Sequence, residues 1–227
     1  MNRFAFQPSL SQRKTHSMVV ASSHQGKKPS VFVESLVNSQ TVVFQPHPGV
    51  LSRLYDFAFG LRGLSIMHFS MFTDDAKLRW ISEGNVSLQN FAPNVTASKP
   101  QTPLQFSDIT EATHVLARFG IEYFNSGVNN MIAAAVSLLY VLANLYDWSR
   151  DDLPHVAYFV NATFELFRAS FESTDFDCHQ AATKMQSKIM TEDVTVQRLL
   201  LAAQVRRTRR FESMSVVRSF DRSPLVK

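Results

Sequence analysis

The stretch Val128–Trp148, VNNMIAAAVSLLYVLANLYDW, constrains the fold more than any other part of the chain. Between Met131 and Ala143, Ser137 is the only small polar side chain, so a helix built here is apolar on nearly every face. Such a helix needs neighbours on all sides. A membrane span needs about 20 predominantly apolar residues, whereas this run is bounded by Asn129 and Asn130 at one end and by Asn144 and Asp147 at the other. The expectation is a buried core helix, with a membrane partner disfavoured.

The rest of the chain reads as helices packed around that one. Leu51, Leu54, Phe57, Leu61, Leu64 and Met67 fall near helical spacing, weakened by Gly60 and Gly63. Thr73 precedes Asp74 and Asp75 as a cap for a short helix through Trp80. Ser82–Thr102 is polar, holds Pro93 and Pro100, and reads as a long surface loop. Ser107 and Asp108 with Glu111 open a helix whose apolar face is Ile109, Ala112, Val115, Leu116 and Phe119. Asn125-Ser126-Gly127 turns the chain into the central run. Asp151 and Asp152 start the next helix, which carries the stripe Val156, Phe159, Val160, Phe164, Phe167 and Phe171. Further helices are expected over Asp175–Met190 and Thr191–Met214, the last with Val194, Leu199, Leu200, Ala203 and Val205 inward. Only Val31–Phe44 alternates weakly enough to suggest a short strand or extended strap. The fold class is therefore all-α, a single helical-bundle core of about six to seven helices over residues 31–214. In a chain of 227 residues, the 19 Phe supply ample material for that core.

Charge is distributed unevenly. Residues 1–29 hold Arg3, Arg13, Lys14, Lys27 and Lys28 and no acid, and residues 198–227 hold eight bases against Glu212 and Asp221. The middle is correspondingly acidic. Residues 1–30 lack helical periodicity and read as a disordered basic arm, and residues 215–227 as a flexible basic tail. Cationic ends of this kind suit a polyanion or the acidic body of a neighbouring copy. The acid-free N-terminus, with its small-residue stretch at Val20-Ala21-Ser22, also has the look of a cleavable organelle transit peptide, which would place the chain in a plastid or mitochondrion.

Catalytic signatures are lacking. The one cysteine, Cys178, rules out an internal disulfide and a Cys-based zinc site. Glu111-x-x-His114 has the spacing of a di-iron ligand step, but its nearest counterpart, Asp152-x-x-His155, sits at a helix start. Ser170, Ser173 and Cys178 stand in no nucleophile elbow, and the glycines form no phosphate loop. No enzyme activity, cofactor, metal or small-molecule substrate is expected. The run RRTRRF (Arg206, Arg207, Arg209 and Arg210 with Phe211), preceded by Arg198, joins guanidinium forks to an aromatic ring. That combination suits single-stranded nucleic acid.

Arg118-Phe119-Gly120-Ile121-Glu122-Tyr123-Phe124, followed by Phe164-Glu165-Leu166-Phe167, resembles the coat proteins of flexible filamentous plant RNA viruses over about Arg118–Phe171. The resemblance implies that Arg118 and Glu165 meet beside an RNA groove and that the terminal arms link subunits into a homo-oligomeric rod, found in the virion and the host cytoplasm. The residues alone equally allow Arg118 to lie on the wet face of its helix and pair with Glu122 at i,i+4. Two functions are therefore expected in order: a self-assembling protein that packages single-stranded RNA through Arg118, Glu165, Arg198 and the arginine run, and an imported helical interaction protein.

Overall fold

Two helices that meet at a glycine set the frame. α5 (Phe106–Tyr123) and α6 (Ser126–Leu145) form an antiparallel hairpin whose turn is closed by Asn125, which accepts from the Val128 amide and so caps α6. A Cβ at Gly120 would stand 2.4 Å from Asn129 Oδ1, so the glycine leaves room for the Asn129 side chain where the helices meet. The computed structural model describes residues 6–61, 63–84, 90–92, 95–172 and 177–220, the side chains of 172 and 211–220 excepted. Among these residues it is all-α, as expected, with no strand and three isolated bridges.

In chain order the remaining helices are α1 (Leu10–Val19), α2 (Pro29–Val37), α3 (Pro48–Leu54), α4 (Asp74–Ser82), α7 (Leu153–Ala169), α8 (Cys178–Gln186) and α9 (Val194–Phe220). The aromatic stripe of α7 is buried as its spacing predicts. Phe164 and Phe167 pack on Phe57, which also meets Phe59 and Phe124, so the core centre is a knot of rings. Thr73 caps α4 through the Ala76 amide, also as predicted, yet α4 buries no residue.

Four expectations need correction. First, residues 6–30 are folded. α1 opens on a reciprocal capping box between Ser9 and Gln12. Val19 and Val20 are fully buried, and the His16 ring stacks on Tyr55 with centroids 3.8 Å apart. Backbone bonds from the Ala21 amide to the Tyr123 carbonyl and from the Asn125 amide to the Val19 carbonyl stitch the segment to the α5–α6 turn. Ring stacking and capping hold it, and neither leaves an apolar period in the sequence. Second, the first half of the strap expected at 31–44 is α2, because Pro29 sits where a helix accepts proline and Phe32, Val33 and Leu36 share its buried face. Third, the helix expected from Leu51 to Met67 ends at Leu54. Phe57 (φ 50°) and Gly60 (φ 103°) take left-handed conformations that turn the chain before a 3-10 turn at Ile66–Phe69.

Fourth, α6 is enclosed on one side only. Met131, Ile132, Ala135, Leu138, Leu139 and Leu142 face α5 and α8, whereas Tyr140, Val141 and Leu145 are exposed. Small side chains such as Ala133 and Ser137 cover much of the outer face, so leaving it in water costs little. α6 is long and apolar enough to cross a membrane by length and composition, with 44% of its window buried against the protein. At the C-terminus α9 runs past the expected Met214 to Phe220. It buries Val196 and Ala203 and leaves Val194 and Val205 exposed. The tail expected after Ser215 falls, from residue 221 on, outside the described residues.

Candidate functional site

α1, α3 and α7 surround a cleft of about 630 Å³, with the turn after α3 as its floor and Phe6 and Phe91 at its mouth. The Phe6 ring meets Tyr55 edge-on at 5.1 Å and Phe91 at 6.3 Å, so the mouth is aromatic. At the floor, Arg168 on α7 donates from Nη2 to Asp56 Oδ2 at 2.6 Å and from Nε to the Asp56 carbonyl at 3.1 Å. This two-point clasp is the geometry in which a guanidinium tolerates partial burial. Burial pushes the Asp56 carboxyl up from its ordinary value while Arg168 pulls it down, and Oδ1 is buried with no hydrogen-bond partner. Arg53 spends Nη1 on the Gly49 and Val95 carbonyls and has no carboxylate at ion-pair distance among the described residues. The Glu165 carboxylate closes one side against Gly60, where a Cβ would stand 2.2 Å from it. The lip beside Phe6 is the start of α1, where Ser9, Ser11 and Gln12 line the cleft; Arg13 and Lys14 follow on the same helix, exposed and outside the lining.

The arginine run occupies a second locus. Arg206 Nε donates to Asp152 Oδ1 at 2.6 Å, Arg210 Nη2 reaches Asp151 Oδ2 at 2.6 Å, and Arg207 lies 4.0 Å from Asp147 with its guanidinium over the Tyr146 ring at 5.9 Å. Three of the four arginines therefore fasten α9 to the acidic α6–α7 loop. Asp152 is buried, which opposes its ionisation. Hydrogen bonds from Ser149 and Arg206 outweigh that and hold its carboxyl below the usual range. Arg209 is exposed, and Arg198 lies at a cavity between α7 and α9.

Arg118 and Glu165 are not brought together. Arg118 is exposed on α5, and no ion pair to Glu165 or Glu122 forms among the described residues. Glu122 instead accepts from Thr41 Oγ1 at 2.8 Å. The arginine–acid pair beside a groove does exist, but its members are Arg168, directly after the Phe164–Phe167 motif, and Asp56. The signal for Asp56 was available, since one carboxylate inside the apolar run LYDFAF needs a cationic partner when buried. No local pattern pointed to Phe6 or Phe91.

The remaining chemistry-bearing residues are engaged elsewhere. His114 Nε2 is 2.7 Å from the Tyr140 hydroxyl, and no group of three His, Cys, Asp or Glu fit for a metal occurs among the described residues. Burial raises the Cys178 thiol above its ordinary value, which disfavours the reactive thiolate. No family model, curated protein or solved structure matches the chain.

Proposed function

We propose that the chain is a self-assembling structural protein that coats single-stranded RNA without reading its sequence. The observation that carries this reading is the cleft beside α1, where Arg53 and the Arg168–Asp56 clasp adjoin the rings of Phe6 and Phe91, with the exposed Arg13 and Lys14 next along the same helix. Phosphates would track Arg13, Lys14 and Arg53 while a base enters between the rings, a mode that tolerates any base because each has a π face. The exposed faces of α6 and of α4, with Leu78 and Ile81 in water, supply apolar surface for contacts between copies. Arg206, Arg207 and Arg210 act mainly within the subunit, and Arg198 lies at the α7–α9 cavity, leaving Arg118 and Arg209 as the outward cations of the expected set. An imported chain cut near Ser22 is less well supported, because such a cut removes Val19 and Val20 from the core.

Fluorescence anisotropy with labelled oligouridylate tests the reading. If about three phosphates are neutralised, the log–log dependence of affinity on salt has a slope of about −2. Arg13→Ala with Arg53→Ala lowers affinity at least fivefold, and electron microscopy with RNA shows extended particles. Binding indifferent to ionic strength, or unchanged in the double variant, refutes it.

A further inference from the structure

α7 and α9 enclose a second cavity of about 290 Å³, separate from the cleft. One wall is apolar, made by Phe159, Leu166 and Leu199. Its charge is of a single sign: Lys188, Arg198 and Arg206 line it, and no Asp or Glu does. Lys188 and Arg198 have no ion-pair partner among the described residues. Arg206 spends Nε on Asp152, and its Nη2 is buried with no hydrogen-bond partner. That atom is closed off from the cavity, so the cations a ligand can reach are Lys188, half-buried, and Arg198, exposed.

We infer that this cavity binds a small amphipathic anion, one carboxylate or phosphate head on an unbranched apolar chain. The head sits between Arg198 and Lys188, and the chain lies against Phe159, Leu166 and Leu199. An apolar ligand without charge leaves the two cations unsatisfied, and a hydrophilic anion forgoes the apolar wall, so the cavity selects for both features in one molecule. The same head chemistry belongs to free single-chain acids and to the surface of an anionic bilayer. A recess of about 290 Å³ is sized for one short chain, which favours the free molecule.

Calorimetric titration of the full chain with decanoate below its micellar range tests this, with decanol and decyltrimethylammonium as neutral and cationic controls. Saturable one-to-one binding of decanoate is expected, at least tenfold tighter than either control. The double variant Lys188→Glu/Arg198→Glu, at two positions that make no ion pair in the fold, should lose at least tenfold in affinity with an unchanged circular dichroism spectrum. Leu199→Asp should weaken binding through the other wall. Three results overturn the inference: equal affinity for decanol, binding only to phosphatidylglycerol vesicles and not to free decanoate, and decanoate affinity unaffected by the double variant. Displacement of decanoate by oligouridylate would also overturn it, by making the cavity part of the nucleic-acid path.

Discussion

At the scale of single residues, the Arg168–Asp56 clasp and His16 carry the clearest consequences. The Asp56 side chain is 1% exposed and that of Arg168 36%. Arg168→Met therefore strands a carboxylate that water cannot reach, at a cost of about 3 kcal/mol, near the low end of the range for broken buried pairs because the arginine is itself partly wet. Urea denaturation of Arg168→Met against the double variant Asp56→Asn/Arg168→Met measures this, and the double variant should recover at least half of the loss. His16 gives a pH dependence. Its Nδ1 lies 2.7 Å from the Tyr55 carbonyl, which it reaches as a donor, and its Nε2 is buried without a partner. Burial lowers its pKa below the ordinary 6.5, with the Tyr55 bond opposing and His24 adding to the shift. The unfolded chain therefore takes up the proton first as pH drops. The stability His16 contributes is complete above pH 6.5 and declines as pH falls from there through the lowered native value. The melting temperature should fall between pH 7.5 and 5, and His16→Gln, which keeps a donor for Tyr55 but does not titrate, should flatten that fall. An unchanged slope in His16→Gln removes His16 as the cause.

At the scale of elements, the sequence was most legible where apolar spacing and capping agreed. α5 and α7 bury nearly the faces their periodicity names, Thr73 caps the helix expected after it, and the turn expected at Asn125-Ser126-Gly127 opens α6. It was least legible where backbone conformation or partners distant in sequence decide. Nothing in VLSRLYDFAFGLRG announces that Phe57 turns left-handed, because the aromatic knot that holds it comes from Phe124, Phe164 and Phe167. The candidate cleft was illegible for the same reason. The expected pair, Arg118 with Glu165, does not form, and the pair that does, Arg168 with Asp56, joins residues 112 positions apart. Gly60 tests how tightly this turn is specified. With φ at 103° and Glu165 against it, Gly60→Ala should cost about 1–3 kcal/mol. Glu165→Ala in the same chain should return the part due to the clash and leave the part due to the backbone. Thermal melts of the single and double variants separate the two.

At the scale of the whole molecule, the N-terminal segment belongs to the core, and the basic terminus at the other end is fastened down by acids of the α6–α7 loop. A chain beginning at Ser23 loses two fully buried valines and the His16–Tyr55 stack. Each buried valine is worth about 1.5–3 kcal/mol, which together approaches the whole stability of a typical domain, about 5–15 kcal/mol. Circular dichroism of that truncated chain should show lost or strongly weakened cooperative melting, and a native-like melt would place the segment outside the core after all. The seam that joins Met18–Ala21 to Tyr123–Asn125 also orders events on the ribosome. The Asn125 amide that caps the Met18 carbonyl lies 107 residues further along. At about 5–20 residues per second, the first helix waits on the order of ten seconds before its docking partner leaves the exit tunnel. Throughout that wait Val19 and Val20 lack the turn they are stitched to, although Phe32 can already meet His16, His24 and Tyr55, so a nascent-chain chaperone that shields the two valines would raise the yield of native protein.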